Sequence, residues 1–171
     1  SEDTLTAAID WLQGKNEAGD FRDDIFGDPM HAQPLVVEYP DSEVEGVESK
    51  ARIFIGTNAG FFHAFKDNGR QVEEEWAFIP KENLATALKL NLQVTRAEAR
   101  IYGIDSSAVD AEYVEDGKTK HIIAFGLRRG GSKYFSLDVN LDPIDVNTTK
   151  PELNWVIANT NGFSELAQTW S

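Results

Sequence analysis

The chain has 171 residues, of which 41% are hydrophobic and 26% are charged, a composition typical of one globular domain. Its 16 lysines and arginines stand against 29 aspartates and glutamates, and the formal net charge of −13 argues against binding to nucleic-acid phosphates or insertion at anionic membrane surfaces. Cysteine is absent, which excludes thiol nucleophiles, disulfides and thiolate metal sites, and no apolar run approaches the ~20 residues of a membrane-spanning helix.

The first predicted element is an N-terminal helix at residues 4–13. Apolar residues recur at helical spacing from Leu5 to Leu12, and Gly14 suits the C-terminal cap of such a helix. The glycines and mixed charges that follow predict a loop. Residues 1–33 are therefore interpreted as a helix and the loop that leads into the main domain.

Short β-strands fill most of the remaining sequence, in two groups. In residues 34–80, four apolar or aromatic runs are separated by turn-forming residues, which predicts an antiparallel sheet. Helical spacing predicts a short helix at 82–90 within a connector at 81–106, and residues 107–158 again predict four antiparallel strands. The predicted strands are 34–39, 51–55, 60–65, 75–79, 107–114, 121–125, 134–137 and 153–157.

The two groups of strands resemble each other in sequence. Each has an apolar strand ending at a glycine (Gly56 and Gly126), then a turn of small residues, an aromatic strand and a strand that carries a tryptophan (Trp76 and Trp155). Four-stranded repeats of this kind are typical of β-propeller blades. We therefore predict a mainly β fold, a partial β-propeller of two four-stranded antiparallel blades, in which the two tryptophans occupy equivalent positions.

Residues 159–171 are interpreted as the start of a truncated third blade. Because a propeller usually has four to eight blades, the chain is expected to be a piece of a longer protein. Two blades alone would leave the flank of the second blade around Trp155 uncovered, and an exposed apolar patch favours association. We therefore predict self-association of the isolated chain, as dimers or by exchange of the segment from Phe163 to Ser171, and stronger at higher salt.

The three histidines do not have the sequence spacing of a metal site. No pair among His31, His63 and His121 is separated as in H-x-H or H-x-x-x-H, and the chain has no cysteine to complete a set of zinc ligands. Each histidine is therefore interpreted as a hydrogen-bonded or surface residue.

One segment has part of a calcium-loop pattern. Asp138, Asn140 and Asp142 show the 1-3-5 oxygen spacing, but Pro143 and Thr149 stand where the loop needs glycine and glutamate. We therefore predict no metal-binding residue in this chain.

Three further motifs are weak. Gly162–Leu166 begins like a nucleophile elbow but lacks the second glycine. Arg128 and Arg129 are interpreted as an exposed turn, with contact to an acidic partner as the alternative, and Asn68-Gly69-Arg70 is interpreted as a turn. No catalytic or cofactor-binding residue is predicted either, and the chain is expected to have no enzymatic activity and no organic cofactor.

Several segments nevertheless resemble those of one protein family. They occur in the same order as in that family, which makes the series more specific than any single segment. Gly27-Asp28-Pro29-Met30-His31-Ala32-Gln33-Pro34 resembles the GD-x-x-H-S-x-P motif at which the propeller of the PilY/PilC proteins, the type IV pilus tip-associated adhesins, begins. Ile9–Gly14 is similar to the helix just upstream of that propeller. The resemblance covers nearly the whole chain, and the other similar segments are 53–65, 76–80, 102–105, 126–139 and 163–171.

The resemblance implies a modified propeller related to quinoprotein dehydrogenases, and a non-enzymatic function. An exported bacterial protein at the pilus tip or outer cell surface is expected, acting in pilus assembly, retraction control and surface attachment. The implied partners are pilus tip proteins (minor pilins) and host or abiotic surfaces. The family's D-x-D-x-D-G calcium loop matches nothing in this chain, so calcium is implied only for a full-length protein.

Two alternatives remain open from the sequence. The repeat from Gly56 to Trp76 also fits a quinoprotein dehydrogenase that uses PQQ. Those enzymes characteristically stack the quinone against a vicinal disulfide, and this chain has no cysteine. The other alternative is a propeller that serves only as a scaffold.

Overall fold

The computed structural model describes residues 2–23, 25–39, 51–67, 69–91, 101–141 and 147–158. It contains two four-stranded antiparallel sheets, each with its strands in chain order, so the predicted mainly β fold of two four-stranded sheets is confirmed. The expected start of a third blade, residues 159–171, lies outside the described residues. No helix among those described is long and apolar enough to cross a membrane.

The elements follow the predicted order. The first sheet consists of β1 (Leu35–Glu38), β2 (Ala51–Gly56), β3 (Phe62–Asp67) and β4 (Val72–Phe78). The second sheet consists of β5 (Val109–Glu115), β6 (Lys118–Gly126), β7 (Lys133–Asp138) and β8 (Glu152–Ala158). Helix α1 is Glu2–Leu12, and α2 (Leu84–Asn91) follows a 3₁₀ turn at Lys81–Asn83; a second 3₁₀ turn is Arg128–Gly130.

Gly14 ends the N-terminal helix as the sequence predicts. Its φ of 84° is left-handed, and its N–H donates to the Trp11 carbonyl at 3.0 Å while the Lys15 N–H donates to the Asp10 carbonyl at 2.9 Å. These two bonds form a Schellman motif, which satisfies carbonyl groups that the helix leaves unpaired.

Two strands begin three residues earlier than predicted. β6 starts at Lys118 rather than His121, because Asp116 and Gly117, with φ of 51° and 75°, form a two-residue turn that keeps Glu115 paired with Lys118. β4 starts at Val72 rather than at residue 75, and the added residues, among them Glu73 and Glu74, have exposed side chains on this edge strand. Charged residues on an exposed strand face have the composition of a loop, and for this reason the sequence predicts later starts for both strands.

The two tryptophans occupy equivalent positions, which confirms the predicted repeat. Trp76 lies on β4 and Trp155 on β8, each on the fourth strand of its sheet. The pairing with the third strand shifts register one residue before each tryptophan, so that one extra residue bulges at the same place in both sheets. The equivalent cross-strand rows are Phe54, Ala64 and Trp76 in the first sheet, and Ala124, Ser136 and Trp155 in the second.

The core lies between the two sheets and is largely aromatic. Phe62 of the first sheet stacks on Phe125 of the second with ring centroids 4.1 Å apart, and Phe125 also stacks on Phe135 at 5.6 Å. Phe78 meets Phe125 and Phe135 edge-on. The sheets therefore pack face to face, and the buried cluster comprises Val37, Tyr39, Phe54, Phe62, Ala64, Ile104, Ile123, Phe125, Leu127, Phe135, Leu137 and Val139.

Replacing Gly103 with alanine should lower the free energy of unfolding by about 3 kcal/mol. Its Cβ would lie 2.4 Å from the Gly60 nitrogen and 2.6 Å from the Thr57 carbonyl oxygen, so backbone must shift to admit it. Gly69→Ala, the control, places its Cβ in open space and should cost about 1 kcal/mol, from a φ of 78° alone. Equal losses of the two variants in urea unfolding would contradict this close approach of the connector to the first sheet.

Candidate functional site

One face of the second sheet carries exposed side chains, although the equivalent face of the first sheet is buried. Because side chains alternate along a strand, the row that contains Trp155 points away from the first sheet. We call Val109, Ala124, Ser136 and Trp155 the outer face. Trp155 is 39% and Val109 62% exposed, whereas Phe54 in the corresponding row of the first sheet is fully buried. Trp155 and Val109 therefore leave apolar surface uncovered on the outer face, whereas Ser136 is buried.

A buried ion pair of the first sheet is bonded to the segment that precedes β8. The fully buried Arg52 donates from Nε to both carboxylate oxygens of Glu75 at 3.0 Å, and its Nη2 donates to the Asn147 carbonyl at 2.6 Å. Glu75 also accepts from the N–H and the hydroxyl of Thr149, at 3.2 and 2.6 Å, and the Thr149 hydroxyl accepts from the Trp76 indole at 2.9 Å. The network ties β2 and β4 to the segment before β8.

His31 lies in a junction between the loop before β1 and the second sheet. Its Nδ1 is 2.9 Å from the buried carboxylate of Asp105, which also lies 3.6 Å from Arg128 Nη1. Met30 and Arg128 have left-handed φ values of 55° and 50°, a strained conformation for residues other than glycine. The carboxylate of Asp105 links these two turns by contacting both His31 and Arg128, so His31 acts here as a structural residue.

His63 lies on the other face of the first sheet. Its Nδ1 is 2.5 Å from Glu74 Oε1, and its ring packs against Phe26, Phe61 and Phe65. The N-terminal loop covers this face through Phe26. Both histidines therefore match their interpretation as hydrogen-bonded residues.

His121 is hydrogen-bonded too, but it lies in a cluster of titratable side chains that no sequence motif predicts. The ring is 1% exposed, and Nδ1 lies 3.0 Å from Asp110 Oδ2. Glu112 pairs directly with His121 across the hairpin. A signal for this grouping was present in the sequence: the two-residue turn at Asp116-Gly117 fixes the register of the hairpin and hence these neighbours.

The other candidate residues are engaged locally. Asp138 Oδ1 accepts from the backbone N–H of Asn140 at 3.1 Å, and Asn140 Oδ1 accepts from the backbone N–H of His121 at 2.9 Å. These two hydrogen bonds belong to a turn. Arg129 donates to the Tyr102 hydroxyl at 3.1 Å. Asp142, Asn68 and Gly162–Leu166 lie outside the described residues.

Comparison with known protein families gives one match that spans most of the chain. A family model described as the PilY1 beta-propeller domain matches residues 32–162. A curated protein of Pseudomonas aeruginosa strain UCBPP-PA14, "Type IV pilus biogenesis factor PilY1", is 27% identical over 157 residues, 81% of this chain and 13% of that protein. The protein of the same name from strain PAO1 is 27% identical over 137 residues, 67% of this chain and 12% of that protein.

A solved structure is also similar. The crystal structure of the Pseudomonas aeruginosa PilY1 C-terminal domain superposes with a TM-score of 0.41 at 25% sequence identity, covering 67% of this chain and 20% of that one. The chain thus spans about an eighth of the length of the curated relatives.

Proposed function

The chain belongs to the PilY1 beta-propeller family, and from this membership we propose that it is a non-enzymatic part of a type IV pilus biogenesis factor. The observation that carries the proposal is the family match over residues 32–162, which includes both sheets and the connector between them. The names of the curated relatives point to the same process.

We propose the finer aspects of this function on the same basis. The protein is exported, lies at the pilus tip or outer cell surface, and acts in pilus assembly, in control of retraction and in attachment. Its partners are minor pilins at the tip and host or abiotic surfaces. The aromatic core, the buried Arg52–Glu75 pair and the carboxylate-bound His31 and His63 support a rigid framework that presents surfaces rather than reacting groups.

A deletion in the organism that encodes the chain tests the proposal. Removing the codons for residues 32–162 in frame should greatly reduce the number of surface pili counted by electron microscopy, and the intact gene should restore them. An immunoblot for the shortened protein separates loss of this unit from loss of the whole protein. Parental numbers of pili and parental surface attachment in the deletion strain would contradict the proposal.

The same deletion in a strain without the retraction motor separates two of the proposed roles. If the unit controls retraction, pili should return when retraction is blocked. If the unit is needed for assembly, pili should remain absent in the double mutant.

A further inference from the structure

Three potential metal ligands lie together on the β5–β6 hairpin. Glu112 pairs directly with His121, and Asp110 lies two residues before Glu112, so strand alternation places all three on one face. One ligand atom from each residue lies within 4.8 Å of the other two. His121 is buried, Asp110 is partly buried and Glu112 is exposed, so the cluster is reached from solvent at the Glu112 side.

Two buried atoms of this cluster have no hydrogen-bond partner. They are His121 Nε2 and Asp110 Oδ1, while the Nδ1 and Oδ2 atoms of the same two side chains lie 3.0 Å apart. The Nδ1 proton that His121 shares with Asp110 Oδ2 lies where a cation would bind, because an ion that replaces this proton is held by the nitrogen and the carboxylate together. The unpaired Asp110 Oδ1 is a buried acceptor, which is unfavourable without a partner, and the same cation would pair with it.

The surroundings hold the imidazole in place. The backbone N–H of His121 donates to Asn140 Oδ1 at 2.9 Å, and the Tyr39 ring meets the imidazole edge-on with centroids 5.0 Å apart. The Tyr39 hydroxyl donates to the Val139 carbonyl at 2.6 Å, and burial raises the pKa of Tyr39 far above its ordinary value, so this group stays neutral. The nitrogen ligand is therefore positioned before any ion binds.

We propose that Asp110, Glu112 and His121 form a site for a divalent transition-metal ion of the zinc class. One nitrogen and two carboxylate ligands, with a position left for water, suit zinc and its neighbours. Calcium and magnesium prefer oxygen ligands alone, so the imidazole disfavours them. The site departs from the sequence-based expectation of no metal ligand, and it is independent of the proposed role in pili.

Calorimetric titration of the purified chain with Zn²⁺ alone tests the site. We expect one ion per chain, and at least about tenfold weaker binding for Glu112→Gln, which changes an exposed side chain and should leave the fold intact by circular dichroism. Glu115→Gln, on the same strand but outside the cluster, should bind as the parent does. Ca²⁺ should bind at least about tenfold more weakly than Zn²⁺.

NMR spectra of the histidine rings identify the ligand directly. Addition of Zn²⁺ should shift or broaden the ring signals of His121 and leave those of His31 and His63 unchanged. Absence of stoichiometric binding, equal affinity of the folded Glu112→Gln variant and the parent, or an effect at His31 or His63 instead would each overturn the proposal.

Discussion

The Phe125→Ala variant should lose about 4 kcal/mol of unfolding free energy, since replacing a buried phenylalanine costs about 3–5 kcal/mol. Phe125 is 2% exposed, and its ring lies between those of Phe62 in the first sheet and Phe135 in the second. The substitution removes apolar burial and also the stacking between the sheets. Equilibrium urea unfolding, followed by tryptophan fluorescence, measures the loss.

Phe21→Ala provides the matched control for Phe125. It makes the same chemical change at a side chain that is 75% exposed, so its stability should stay within about 0.5 kcal/mol of the parent. If Phe125→Ala were as stable as Phe21→Ala, the two sheets would not share this aromatic core.

Removing the guanidinium of Arg52 should cost about 3–5 kcal/mol. In Arg52→Met the carboxylate of Glu75, only 5% exposed, stays in the interior with Thr149 as its remaining donor. The cost arises mainly from this uncompensated charge, so the double variant Arg52→Met/Glu75→Gln should recover part of the lost stability. Urea unfolding of the parent, Arg52→Met, Glu75→Gln and the double variant completes a double-mutant cycle.

Lys150→Met is the control for the buried pair. Lys150 lies 3.4 Å from Glu152, but both side chains are more than 60% exposed, and such pairs contribute little because water screens them. We expect a change within about 0.5 kcal/mol. A loss for Arg52→Met as small as that of Lys150→Met would show that the Arg52–Glu75 pair does not stabilise the fold.

The sequence alone was sufficient to predict the two sheets. Glycine turns and short apolar runs are local signals, and the tryptophan near the end of each group marks the repeat, whose equivalence the register at Trp76 and Trp155 confirms. The starts of β4 and β6 were predicted too late because charged residues on exposed strands resemble loop sequence.

The contacts between elements could not be predicted in the same way. Arg52 binds Glu75 and the Asn147 carbonyl, which are 23 and 95 residues away, and no local pattern in one sequence records such partners. The pairing of His31 with Asp105, 74 residues apart, is of the same kind. The cluster around His121 differs, because its neighbours lie across one short hairpin whose register the turn fixes.

The outer face of the second sheet leads to a prediction about the isolated chain. Trp155 and Val109 are exposed in the row whose counterpart in the first sheet is buried, so association of two chains through this face would remove apolar area from water. The net charge of −13 opposes association, and salt weakens that repulsion. We therefore expect dimers that become more abundant with protein concentration and with salt.

Light scattering of the purified chain tests most directly the central claim that the two sheets pack as propeller blades and leave the outer face of the second uncovered. The average mass should rise with protein concentration and between about 0.05 and 0.5 M NaCl, where the Debye length falls from above 10 Å to below 8 Å. Trp155→Asp should reduce the dimer fraction, whereas Val114→Asp, at a valine that is 73% exposed outside the outer face, should not. A monodisperse monomer at high protein concentration and 0.5 M salt, with Trp155 fluorescence shielded from quenchers, would contradict the claim.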